Sequence, residues 1–193
     1  MIKKTIILSA SLLGIAALAL SVNADNREAS KTTKAEAKSE KKESKEAKAT
    51  GAVALFPEKL YNAKGEEVSR DELKDKIVGI YFSAHWCPPC RAFTPNLVKF
   101  RDENKDDFEI VFVSSDKNAD AQMNYMKESK MKWLTVKFGT KEVQDLKKKY
   151  SVRGIPKLVI VGPDGKTITE NGRGDVSQKP TTTLAAWKKK TGA

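Results

Sequence analysis

Two cysteines three positions apart are the residues of this chain best suited to chemistry. Cys87 and Cys90 lie in the stretch FSAHWCPPCRAF and are the only two cysteines among the 193 residues. On a helix, residues at this spacing share one face, so the two sulfurs can close a disulfide. So small a loop constrains little of the unfolded chain, which makes a purely stabilising role a weak explanation. The pair therefore indicates redox chemistry.

The residues around the pair favour one reactive sulfur and one shielded sulfur. Cys87 is expected where a buried strand ends and a helix begins, with Cys90 one turn inside the helix. Unpaired backbone donors and the helix dipole favour an anion at that end, so a thiol there loses its proton more readily. Pro88 and Pro89 suit the first helical turn, where a missing donor costs nothing. We therefore expect Cys87 to be open to partners and Cys90 to be covered.

Metal binding explains the pair less well. A structural zinc site needs four ligands, and besides the two cysteines the chain offers only His85, beside the motif. A copper carrier would need a further well-placed histidine or methionine, and three of the four methionines are spaced for helix packing. We therefore predict no metal site and no cofactor apart from a redox-active Cys87–Cys90 disulfide.

The first 24 residues are typical of a secretory signal peptide. Lys3 and Lys4 precede an apolar stretch from Ile6 to Leu20, and Val22-Asn23-Ala24 places small residues before the expected cut. The apolar stretch is short for a membrane span, which needs about 20 residues. We expect cleavage near Ala24 and a location outside the cytoplasm. The basic start and the short apolar core favour a bacterial periplasm.

A charged tether is expected to follow the signal peptide. Residues 25–50 consist almost wholly of Lys, Glu, Ala, Ser and Thr and contain no aromatic or large aliphatic residue. Such a segment cannot bury enough apolar surface to offset the entropy lost on ordering. We therefore predict a disordered tether between the signal peptide and a domain of residues 51–193.

The formal net charge of +11 does not indicate nucleic-acid binding. Much of the excess lies in residues 147–149 and 188–190, at the ends of predicted helices where lysines are ordinarily solvated. Basic residues are not interleaved with aromatic residues along one face, as nucleic-acid binding would require. We expect no nucleic-acid partner and only a mild preference for acidic partners or an anionic membrane surface.

The rest of the chain alternates strand and helix patterns. Apolar runs at residues 76–84 and 108–115 are typical of strands buried on both faces. Residues 60–68 and 157–170 each predict an antiparallel hairpin, and residues 69–72 form a capping box that opens a short helix. Helices are expected at residues 88–105 (kinked near Pro95), 119–129, 141–150 and 182–190. This order predicts an α/β fold in which helices flank a mixed sheet.

One tripeptide suggests a different function. Arg173-Gly174-Asp175 matches the cell-adhesion sequence Arg-Gly-Asp. Between Gly172 and Val176 we expect it to form a polar loop without an adhesive role.

Four separate stretches carry a resemblance to a known family. FSAHWCPPCRAFTPNL, a strand ending in VSSD, the segment KWLTVKF and the stretch VRGIPKLVIV resemble the tryparedoxin and nucleoredoxin branch of the thioredoxin-like superfamily. The resemblance covers about residues 53–170. It implies a thioredoxin-like fold with a mixed central β-sheet flanked by helices, and thiol-disulfide oxidoreductase activity. In that chemistry Cys87 attacks a partner disulfide and Cys90 resolves the mixed disulfide.

The resemblance also implies further site residues and partners. Trp86 would flank the sulfurs, and Pro88 and Pro89 would contribute to the substrate-binding surface. Pro156 matches a cis-proline, and the backbone of Ile155 would pair with the substrate chain opposite the reactive sulfur. The implied partners are disulfide-containing proteins and an upstream thiol electron donor, for which a membrane-bound protein is one candidate. The protein is expected to be a monomer.

The resemblance does not identify the proton acceptor for Cys90. Many thioredoxins have a buried acidic residue in the strand before the motif, whereas the matching position here is Tyr81. Asp116, at the end of the next strand, is a candidate acceptor, although a strand-end aspartate is more often a helix cap. His85 is a candidate tuner of Cys87, although a side chain at its position often points to solvent.

The residues between the two cysteines favour a reductant over an oxidant. Pro88 and Pro89 place no cation between the sulfurs to hold the thiolate, and the nearest charged side chain in sequence is Arg91. Weak stabilisation of the thiolate is typical of reductants. We therefore expect an extracytoplasmic disulfide reductase.

Two other functions are compatible with the same residues. A thiol peroxidase would use Cys87 directly on peroxide, but peroxiredoxins have a threonine three residues before their cysteine, where this chain has Ala84. A non-catalytic binding domain would use the thioredoxin groove for docking alone. In that case both cysteines would be dispensable.

Overall fold

A computed structural model describes residues 49–191 of the chain. The predicted signal peptide, and the predicted tether apart from residues 49 and 50, lie outside the described residues. The strands are β1 (Lys59–Tyr61), β2 (Glu67–Ser69), β3 (Ile77–Ser83), β4 (Phe108–Ser114), β5 (Leu134–Thr135), β6 (Lys157–Val161) and β7 (Thr167–Thr169). The α-helices are α1 (Pro88–Glu103), α2 (Ala119–Glu128), α3 (Lys141–Lys149), α4 (Gly172–Gln178) and α5 (Pro180–Thr191).

The seven strands form one mixed sheet in the order β2-β1-β5-β4-β3-β6-β7. At its centre, β3 pairs in parallel with β4 and antiparallel with β6. The two predicted hairpins are β1–β2 and β6–β7, both antiparallel. These pairings confirm the predicted α/β fold with a mixed central sheet flanked by helices.

Alternating side chains along β3 build an apolar layer on each face of the sheet. Val78, Ile80 and Phe82 pack in one layer with the buried side of α3. Ile77 and Tyr81 pack in the other layer with α1, α2 and α5. Because both layers meet at β3, the residues that follow this strand are held from both sides.

A glycine in β3 makes room for an aromatic ring in the second layer. A Cβ atom at Gly79 would lie 2.9 Å from Cζ of Phe108, closer than real Cβ contacts allow. The Phe108 ring therefore packs directly on the backbone of β3.

Most predicted helices are confirmed with small shifts at their ends. Helix α1 runs from Pro88 through Pro95 to Glu103, and the kink expected at Pro95 stays a prediction. The capping box opens a 3₁₀ helix, Arg70–Leu73, in which the Ser69 hydroxyl accepts a hydrogen bond from the Asp71 N–H. None of the helices within residues 49–191 is both long enough and apolar enough to cross a membrane.

The polar loop predicted around Arg173-Gly174-Asp175 is wrong, because these residues lie in α4. Glycine disfavours helix, but tertiary contacts decide the conformation here. Val176 is buried in the second apolar layer, and the Asp175 carboxylate accepts a hydrogen bond of 3.1 Å from the indole N–H of Trp187. The tripeptide is thus part of the packing between α4 and α5.

Candidate active site

Cys87 and Cys90 form a disulfide at the N-terminal end of α1. Cys87 caps the helix, and its Sγ accepts a hydrogen bond of 3.3 Å from the Cys90 N–H. The strand-to-helix position expected for Cys87 is therefore present, since β3 ends at Ser83. The Cα atoms of the two cysteines are 5.2 Å apart, so the helical turn itself brings the sulfurs together.

The two sulfurs differ less in exposure than expected. Cys90 is completely buried, and only 3% of Cys87 is exposed. Cys87 packs with Ala84 and Ile155, which cover it from the sides of β3 and β6. The exposed surface beside the disulfide comes from Trp86, of which 54% is exposed, and from the two prolines at positions 88 and 89.

The loop before β6 approaches Cys87, as the resemblance implied. The Ile155–Pro156 peptide bond is cis, and the backbone oxygen of Ile155 lies 3.8 Å from Sγ of Cys87. The sheet explains this approach. In the antiparallel β3–β6 ladder, Phe82 pairs with Lys157, so the residues preceding β6 lie beside the end of β3.

Trp86 is anchored at its edge and exposed on its face. Its indole N–H donates a hydrogen bond of 2.9 Å to the backbone oxygen of Ser115, the residue that follows β4. This bond holds the ring beside the disulfide while more than half of the residue's surface stays accessible. An aromatic face held in this way can pack against a partner chain.

Asp116 supports the loop before Cys87. One carboxylate oxygen accepts from the His85 N–H at 2.7 Å, and the other accepts from the Ser114 hydroxyl at 2.8 Å. The helix-cap interpretation of Asp116 is wrong, because Asn118 caps α2 through its side-chain oxygen. Among the hydrogen bonds of residues 49–191, none joins Asp116 to a sulfur, and its role as proton acceptor stays a prediction.

His85 is held by α2. Its ring stacks on Tyr125 with the centroids 5.2 Å apart, and Nε2 lies 3.1 Å from a carboxylate oxygen of Glu128. The side chain therefore neither extends freely into solvent nor hydrogen-bonds to a sulfur. The tuning role expected for His85 stays a prediction.

A buried network of four hydroxyl groups lies beneath Cys90, and sequence reasoning missed three of its members. The Thr94 hydroxyl donates to the Cys90 backbone oxygen at 2.9 Å and lies 2.9 Å from the Tyr81 hydroxyl and 2.7 Å from the Tyr125 hydroxyl. The Ser83 hydroxyl lies 3.2 Å from that of Tyr125. Thr94 follows Cys90 by one helical turn, which is the only local signal that could have identified it.

The environment of Tyr81 excludes it as an ordinary base. Burial raises the pKa of the Tyr81 phenol far above its usual value of about 10, because the charged form would be desolvated. The phenol therefore stays protonated and acts as a hydrogen-bond donor at the position where many thioredoxins have an acid.

Within residues 49–191, no three His, Cys, Asp or Glu side chains lie together as a metal site would require.

Parts of this chain match a family model and several known proteins. A sequence model described as Thioredoxin-like matches residues 75–167. Nucleoredoxin of Bos taurus is 39% identical over 121 residues, which are 61% of this chain and 27% of that protein. The chain thus spans about a quarter of the length of the curated relatives that it matches.

The match to solved structures covers a larger share of those chains than the match to the curated relatives does. A thioredoxin from Wuchereria bancrofti superposes with a TM-score of 0.61 at 50% identity, covering 69% of this chain and 95% of that chain. Tryparedoxin I from Leishmania major superposes with a TM-score of 0.60 at 41% identity, covering 64% of this chain and 87% of that chain.

Proposed function

Because this chain belongs to the thioredoxin-like family of thiol oxidoreductases, we propose that it is a protein-disulfide reductase that acts outside the cytoplasm. The observation that carries the proposal is the Cys87–Cys90 disulfide at the start of α1, with the Ile155 backbone oxygen 3.8 Å from Cys87 Sγ. A substrate chain that pairs with the loop before β6 would bring its own disulfide to the Cys87 side of the pair.

The proposed reaction transfers two electrons to the partner. The Cys87 thiolate attacks one partner sulfur, forming a mixed disulfide and releasing the other partner sulfur, which takes a proton from water. Cys90 then loses its proton and attacks Cys87, closing the Cys87–Cys90 disulfide and releasing the second partner thiol. The partner gains two electrons and two protons. An upstream dithiol donor must then reduce the protein again.

The contacts of Cys87 favour a reducing potential. Within the described residues, the only group that donates a hydrogen bond to Cys87 Sγ is the Cys90 N–H. The nearby Arg91 guanidinium donates to the backbone oxygen of His85 instead, at 2.9 Å. With no cation bonded to the sulfur, the reduced form gains little extra stabilisation.

We expect a reduction potential closer to the value of about −270 mV found in thioredoxin than to the roughly −120 mV of a strong periplasmic oxidant. Equilibration of the purified protein with glutathione buffers, followed by alkylation of free thiols, measures it. A potential above about −150 mV would identify an oxidase and overturn the proposed direction of electron flow.

The proposed location rests on the first 24 residues. Protein recovered from the host envelope is expected to begin at Asp25, because a signal peptidase would cut after Ala24. N-terminal sequencing of the recovered protein measures this directly. A full-length chain that remains mainly in the cytoplasm would contradict both the cleavage and the proposed location.

A further inference from the structure

Three exposed cations lie on the three elements that converge on the disulfide. Arg91 is on the first turn of α1, Lys117 follows the end of β4, and Arg153 lies two residues before Ile155. All three are exposed. We refer to these three residues as the cationic rim.

Salt bridges do not neutralise the cationic rim. Within residues 49–191, no carboxylate lies within 4.0 Å of any of the three side-chain charges. Asp116 is close to Lys117, and its carboxylate oxygens accept hydrogen bonds from the uncharged His85 N–H and Ser114 hydroxyl. This single acidic group offsets only part of the charge of three cations. The carboxylate of Glu128 pairs with His85.

Two members of the rim share a cavity with the exposed tryptophan. Arg91, Lys117 and Trp86 line a cavity of about 210 Å³, together with His85, Asp116 and Ala121. This cavity combines two cations, one buried carboxylate and an aromatic surface. Its volume suits a single side chain of a partner, and its charges favour a carboxylate.

We propose that the cationic rim selects partner disulfides carried in acidic segments. The inference rests on the proposed reductase function and adds the substrate class. An acidic residue beside the partner cysteine would pair with Arg91 and Lys117 next to Trp86, and a second one would pair with Arg153 beside Ile155. These contacts would hold the partner disulfide at Cys87 during the attack of the thiolate.

Single-turnover oxidation of the reduced protein by two disulfide peptides tests the substrate class. The peptides have equal length and an internal disulfide, flanked by glutamates in one and by lysines in the other. We expect the glutamate peptide to react about tenfold faster at low ionic strength, and the preference to shrink in about 0.5 M salt as screening removes it.

A charge-reversed pair of variants separates the rim from the overall basic charge. Lys117→Glu with Arg153→Glu is expected to remove or invert the peptide preference. Lys189→Glu with Lys190→Glu makes the same change in net charge on the exposed surface of α5 and is expected to keep the preference. Arg91 is left intact because its guanidinium also supports the backbone at His85.

The outcomes separate a failure of the proposed substrate class from a failure of the proposed reductase function. Equal rates for the two peptides, or the same loss of preference in both double variants, would overturn the inference and leave the reductase function standing. If the reduced protein oxidises with neither peptide nor with insulin, the reductase function itself is wrong, and the substrate class falls with it.

Discussion

Replacing Cys87 with serine is expected to lower the rate of disulfide reduction by at least about a thousandfold, because the only other cysteine, Cys90, is completely buried. Cys87 caps α1, accepts a hydrogen bond from the Cys90 N–H and lies beside the backbone oxygen of Ile155. A serine hydroxyl at the same position stays protonated at neutral pH. Insulin reduction by purified variants measures the loss.

Cys90→Ser is the matched control, because it removes a sulfur from the same turn and leaves the attacking thiol in place. This variant is expected to complete the first step and to accumulate mixed disulfides with its partners. Non-reducing gels resolve these adducts, and the proteins that are disulfide-bonded to Cys87 in them are the substrates. Cys90 is completely buried, so it can resolve a mixed disulfide at Cys87 but not meet a partner from solvent.

Reversed roles would be easy to detect. If Cys87→Ser formed the stable adducts, or if alkylation of the reduced native protein labelled Cys90 faster than Cys87, the assignment of nucleophile and resolving thiol would be wrong. Full biological activity of a variant lacking both cysteines would favour the non-catalytic binding domain instead.

Thr94→Val is expected to lower the free energy of unfolding by about 1 to 3 kcal/mol, because it removes the hydroxyl at the centre of the buried network. Valine has nearly the same shape as threonine but cannot donate to the Cys90 backbone oxygen or hydrogen-bond to the hydroxyls of Tyr81 and Tyr125. All of these groups are buried, so water cannot replace the lost partner. Urea unfolding followed by far-ultraviolet circular dichroism measures the change.

Thr94→Ser is the matched variant for the network. It keeps the hydroxyl and loses one buried methyl group, which costs about 1 kcal/mol. The serine variant is therefore expected to be more stable than the valine variant. A valine variant as stable as wild type, or more stable than the serine variant, would show that packing alone holds this region.

The local patterns in the sequence were sufficient to predict most of the strands and helices around the site. Apolar runs identified β3 and β4, and the proline pair located the start of α1. These signals depend on residues within a few positions of one another, which is why they are readable without the fold. The prediction of a loop where α4 lies failed because distant contacts, and not local patterns, set the conformation there. Two glycines there favour a loop, and the contact between Asp175 and Trp187 overrides them from twelve residues away.

Strand β5 was missed for a related reason. Leu134–Thr135 is only two residues long, so no periodic pattern can reveal it. It becomes a strand because it pairs with β4 on one side and β1 on the other. The sheet is continuous across this short strand, and the β1–β2 hairpin is joined to the core through it.

A CxxC pair at a helix start after a buried strand could be predicted from residue order alone, because cysteine spacing, prolines and strand propensity all act locally. The surroundings of the two sulfurs depend instead on contacts between elements that are distant in the chain. Thr94 and Tyr125 meet beneath Cys90 because α1 and α2 pack on the same face of the sheet. Asp116 reaches His85 because β4 pairs in parallel with β3. Such contacts join residues about 30 positions apart, and local propensities carry no information about them.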